Sequence, residues 1–116
     1  MNIIRKSGNL TMQEMYKLTK SPEISKLSNI KGSELEIKSF IVYEDVNITS
    51  GETTRVAGFE SEQGELFATN SKTFVSDFLD ICTMCEEADA PMPSIVKVFP
   101  RKGKTGREYI QCVYIA

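Results

Sequence analysis

The stretch GELFATNSKTFVSDFLDICTMC, residues 64–85, changes its periodicity halfway along, and that change decides the fold. Glu62-Gln63-Gly64 reads as a tight turn, and Glu65 to Thr69 as a short strand of alternating character. Asn70 or Ser71 then caps a helix. Phe74, Phe78, Ile81, Cys82 and Cys85 follow at i, i+4, i+7, i+8 and i+11, one face of that helix, widened by Val75 and Leu79. Pro91-Met92-Pro93 stops it.

Upstream, Thr53 to Glu60 reads as a strand, reached from a turn at Asn47 to Gly51. Before that turn, Glu34 to Glu44 is long and rich in β-branched and aromatic residues. Its alternation is imperfect: Leu35, Ile37, Ile41 and Tyr43 share one parity, Phe40 and Val42 the other. A bulge that changes which face points inward would produce this pattern. Downstream come a strand from Ser94 to Phe99, a basic glycine-containing loop from Pro100 to Arg107, and a strand from Glu108 to Ile115. The order β-β-β-α-β-β predicts a mainly β fold, a five-stranded OB-fold-like β-barrel with its helix between strands three and four. Other small α+β folds can share this order.

The N-terminal part differs. Thr11 and Glu14 have the spacing of a capping box, so a short helix follows, with Met12, Met15 and Tyr16 on one face and Ser21-Pro22 at its end. Residues 1–10 read as a loose tail or an edge segment, and 22–32 as a connector anchored by Ile24, Leu27 and Ile30. A chain of 116 residues suits one domain, 1–116, with the N-terminal helix and connector at 1–32 and the barrel at 33–116.

Composition narrows the functions. No run approaches the ~20 apolar residues of a membrane span, and no signal-peptide core is present, so the cytoplasm is the expected compartment. With no histidine the usual general base and commonest metal ligand are missing, and no enzymatic activity is expected. Cys82-x-x-Cys85 sits near a helix C-terminus, where the dipole opposes a thiolate, and Cys112 alone cannot complete a four-ligand zinc site. Neither a metal nor a cofactor is expected. Gly103-Lys104-Thr105 lacks the upstream glycine of a phosphate loop, since position 98 is Val98. The net charge is −2, yet bases gather at Lys97, Arg101, Lys102, Lys104 and Arg107, enough for a positive face on an acidic chain.

Strand parity sorts the candidate binding residues. With Val56, Leu66, Ala68, Val96 and Val98 taken as core, the outward set is Arg55, Phe59, Phe67, Lys97, Phe99 and Arg101. Aromatic rings on which bases stack, interleaved with cations that neutralise phosphates, hold a single strand without reading it. The basic loop from Arg101 through Lys102, Lys104 and Arg107 would extend that surface. Phe59, Phe67 and Phe99 become core residues instead if the strand phase is shifted by one.

The run from Gly64 to Thr73, followed by Asp77 and Leu79-Asp80, resembles single-stranded-DNA-binding proteins of phi-29-type phages. So do Ile41-Val42-Tyr43, Val96-Lys97-Val98, the lysine-containing glycine loop and the aromatic Tyr109 that opens the last strand. The resemblance covers roughly residues 33–116, with Phe67 where a tyrosine is expected and an N-terminal segment that has no counterpart. It implies a replication protein that coats displaced single strands during phage genome copying, with Tyr43 and Phe67 at base-stacking positions and Tyr109 on the same surface. The implied partner is single-stranded DNA, with a homo-oligomer or other replication proteins as further partners. A protein-interaction module or host-factor inhibitor on the same small barrel is the competing reading, favoured by the acidic balance. A redox enzyme using Cys82 and Cys85 is a third.

Overall fold

Polar–apolar alternation breaks once inside the run Glu34–Val46, and the backbone breaks register at the same place. In the computed structural model, which describes residues 1–116, the elements are β1 (Asn2–Lys6), α1 (Met12–Thr19), β2 (Ser25–Lys26), a 3-10 turn (Leu27–Ile30), β3 (Glu34–Val46), β4 (Thr53–Ser61), β5 (Leu66–Thr69), α2 (Lys72–Glu87), β6 (Ile95–Lys102) and β7 (Glu108–Tyr114). The pairing of β3 with β4 shifts between Ile37 and Ser39. Before the shift Leu35 and Ile37 face the main core; after it Phe40 and Val42 do. Ile41 and Tyr43 are thereby turned to the opposite face, into a second, smaller cluster.

The strands form one mixed sheet in the order β2-β5-β4-β3-β6-β7, with β1 also paired to β3. It is mixed because β2 runs parallel to β5 while the other pairs are antiparallel. β3 joins its two halves: Glu34–Glu36 pair with β6, and the residues beyond the bulge pair with β4 and β1. The sheet curls into a half-barrel. The closed, five-stranded barrel expected from the sequence is not formed, because two strands come from residues 1–32 and no ladder joins β5 to β7.

Instead α2 lies against the concave side. Ser71 caps it, its Oγ accepting from the Phe74 N–H at 3.4 Å. Phe78 meets Phe40 and Phe59 edge to face, with ring centroids 4.9 and 5.1 Å apart, and Phe74 meets Phe59 at 6.1 Å. Such contacts add ~0.5–1.5 kcal/mol each beyond area burial. Cys82, Cys85 and Cys112 are buried in this core as free thiols.

α1 covers the convex side of β3, β4 and β5. Its capping box closes as the spacing predicts, with the Glu14 N–H donating to Thr11 Oγ1 at 3.2 Å and the Thr11 N–H to Glu14 Oε1 at 3.1 Å. Leu18 joins Ile41, Tyr43 and Leu66 beneath it, and Lys17 bridges to the buried Glu60 at 3.0 Å. The helix sits so close that a Cβ on Gly58 of β4 would lie 2.3 Å from the Leu18 carbonyl oxygen.

Two predictions follow from this packing. Gly58→Ala should lower stability by about 1–3 kcal/mol through overpacking, read as a drop in the urea midpoint; an unchanged midpoint would show that α1 is not seated there. The second concerns alkali. Burial pushes the Cys112 thiol up to about 12 and the Cys82 thiol up to about 11, from an ordinary 9.0. The folded state holds these protons longer than the unfolded state, so their contribution is whole below about pH 9 and is lost as pH rises through 11 and 12. Urea midpoints should fall across that window, and replacing both cysteines with Ala should flatten the thiol part of the slope.

Candidate functional site

The β6–β7 hairpin collects seven of the eleven residues singled out from the sequence. Its register pairs Lys97 with Val113, Phe99 with Gln111, and Arg101 with Tyr109. The Gly103 N–H donates to Arg107 O at 2.8 Å across the turn, and the Ile115 N–H to Ile95 O at 3.1 Å at the far end. Odd-numbered residues therefore carry the hydrogen bonds between the two strands, and even-numbered ones point their amides away. Val98 accordingly bonds to Gly32 and Ser33. Pro100, two residues on, has its missing N–H on the side away from β7, so the strand runs through it to Lys102. The basic loop is thus shorter than expected: its first three residues are strand.

Alternation is clean on β6. Val96 and Val98 are buried, while Lys97, Phe99 and Arg101 share the other face. Phe99 is 37 % exposed, with the Lys97 ammonium 5.8 Å and the Arg101 guanidinium 5.5 Å from its ring centroid. Arg101 Nε donates to Gln111 Oε1 at 2.8 Å, which holds the guanidinium in place. Tyr109, 40 % exposed, lies diagonally across from Phe99 on the same face. None of Lys97, Arg101, Lys102, Lys104 and Arg107 is in an ion pair; the five ion pairs of the chain use other cations. Against these five bases the hairpin carries one acid, Glu108, which is bound to Lys31 at 3.1 Å. That bond holds the Glu108 carboxyl below its ordinary range.

Behind the hairpin tip runs a polar groove of about 1140 Å³. Lys31, Asn70, Lys72, Thr73, Arg107 and Tyr109 are among the residues that line it. It meets the start of α2, whose first turn carries no acid and whose first residue is Lys72. A cation there opposes the helix dipole, so the positive end of the helix and the lysine add to one another. Lys31 and Lys72 were not among the residues expected at the site. The signal for Lys72 was available, since a base directly after a helix cap is the wrong charge for the helix.

Three of the expected aromatics are not on this surface. Phe59 is 0 % exposed and Phe67 5 %, both in the main core, and Tyr43 is 5 % exposed in the cluster under α1. Burial, with Asp45 adding, raises the Tyr43 hydroxyl above its ordinary value. The phase taken for β4 and β5 was inverted: Ala57, Phe59 and Phe67 face α2, while Val56 and Leu66 face α1. Arg55 lies near the start of β4, its Nε 2.9 Å from Glu44 Oε1 and so neutralised, in a second groove that shares Asn70 and Lys72 with the first.

No group of three or more His, Cys, Asp or Glu side chains is placed to hold a metal ion. No helix is long and apolar enough to cross a membrane. No protein-family model, no curated protein and no solved structure matches the chain.

Proposed function

We propose that this chain is a non-enzymatic, OB-like module that binds single-stranded DNA without reading its sequence, through the β6–β7 hairpin. The observation that carries the reading is Phe99, an exposed ring flanked by Lys97 and Arg101, neither of which is in an ion pair although Glu34 of β3 stands opposite Lys97. A solvated sheet face has no need of a ring there, and a core ring would not be flanked by free charge. The succession of β3, β4, β5, α2, β6 and β7 supports an OB-like reading of the half-barrel.

Bases of a single strand are unpaired, so each can lie flat on a ring. Phe99 and Tyr109 are diagonal neighbours about 7–8 Å apart, room for one base each. The five hairpin cations neutralise the phosphates between, and the groove with Lys72, where Lys31 is held by Glu108, receives the strand as it leaves the tip. None of these contacts selects a base. With the resemblance of residues 33–116 to phi-29-type phage proteins, the role that fits is coating displaced strands during phage genome copying in the host cytoplasm.

Titration of a fluorescent oligo-dT at two salt concentrations tests this. Phe99→Ala should weaken binding by about 1–3 kcal/mol with the fold intact by circular dichroism. Lys102→Ala or Lys104→Ala should each flatten the dependence of log K on log salt by about 0.7, alike for oligo-dT and oligo-dA. Phe67→Ala should instead cost ~3–5 kcal/mol of folding stability and leave the affinity of the folded fraction unchanged. The reading fails if Phe99→Ala, correctly folded, titrates like the parent chain.

A further inference from the structure

On the far side of the hairpin the sheet ends in an edge that nothing covers. Glu108, Ile110, Cys112 and Tyr114 point their amides away from β6, by the alternation set out above. At the upper end this edge is occupied, because Ser71 Oγ donates to Ile110 O at 3.4 Å. From Cys112 onward no hydrogen bond within the chain uses it. Facing it, α2 leaves a groove of about 510 Å³ lined by Ile81, Met84, Cys85 and Ala88 on one wall and by Val113 and Tyr114 on the other. Met84 is 61 % exposed and Tyr114 50 %, large apolar side chains at the mouth of an unfilled channel.

The other edges of the sheet are blunted. β2 is two residues long, and β1 carries Arg5 and Lys6 together with a register shift between Ile3 and Arg5. Short edge strands, edge cations and irregularities are how sheets avoid unwanted pairing. β7 has none of these over Ile110-Gln111-Cys112-Val113-Tyr114.

Charge says what the groove accepts. Asp77 and Asp80 line it, and Asp77 Oδ2 is buried without a hydrogen-bond partner. Beyond its lower end α2 continues into Glu86 and Glu87, then Asp89, where Arg5 already pairs with Glu86. Two copies meeting β7 to β7 would bring two such acidic rims together, which disfavours self-pairing. We propose that this groove takes an extended segment of a partner protein, carrying both apolar and basic side chains on the one strand face turned to α2, which adds as a strand to the open edge of β7. The backbone at Cys112 and Tyr114 supplies the hydrogen bonds; of the side chains on the strand face turned to α2, the apolar ones enter between Met84 and Tyr114 and the basic ones reach Asp77 and Asp80. The surface is separate from the hairpin face that binds DNA in the reading above.

The test uses the full chain and a capped peptide of about eight residues in which valine and lysine take turns at every second position with serine between, with glutamate replacing lysine in the control. Amide hydrogen exchange, followed residue by residue, is the readout. With the lysine peptide in excess, exchange at Cys112 and Tyr114 should slow by about tenfold or more. Met84→Glu and Asp80→Lys, both at exposed positions, should each weaken that protection about tenfold, while Phe99→Ala leaves it unchanged. Equal protection by the glutamate peptide, or none from the lysine peptide at millimolar concentration, overturns the proposal. Protection that appears without peptide, rises with protein concentration and accompanies a dimer mass makes the occupant a second copy and overturns it equally.

Discussion

The single extra residue in β3 between Ile37 and Ser39 is the constraint on which the rest depends. A strand without it would present one set of side chains to α2 along its whole length. With it, Leu35, Ile37, Phe40 and Val42 all reach the main core although their spacing alone would not allow it. The residues displaced by the shift, Ile41 and Tyr43, need a second cover, and α1 provides it. One backbone irregularity thus accounts for the curl of the sheet, the double-sided burial of its centre and the presence of a helix on each side.

That arrangement also explains how the surface is divided. The half of the sheet built from β3, β4 and β5 is buried on both faces, by α2 inside and α1 outside. The half built from β6 and β7 has α2 on one face and solvent on the other. Among the strands, exposed rings can stand only on the second half, and Phe99, Tyr109 and Tyr114 do. The cations follow the rings, leaving the remainder of the chain acidic.

The same division sets what could be read from the sequence. On β6 the contrast between Val96, Val98 and Lys97, Arg101 settles the phase, and the outward residues were named correctly. On β4 and β5 both faces are covered, so Val56, Phe59, Leu66 and Phe67 are all apolar and parity has no polar reference. Taking Val56 and Leu66 as core was sound, since both pack against apolar neighbours, but it fixed the wrong one of two cores. The helix α2, its cap at Ser71 and the bulge were legible because each has a local signal: a period, a hydroxyl, a change of parity. β1 and β2 were not predicted as strands. Their pairing is decided by β3 and β5, more than thirty residues away, and not by their own composition.

The seam between the two halves has a kinetic consequence. Only Glu34, Leu35 and Glu36 pair with β6, and their partners lie about sixty residues later in the chain. The β3–β4–β5 meander closes through short turns and can assemble while the C-terminal third is still unstructured. The β6–β7 hairpin is local too, but joining it to β3 requires a long loop to close for very few bonds. Association of hairpin and meander is therefore the slow, late step of folding. Until it is complete, the aromatic and basic face exists on a hairpin without a scaffold.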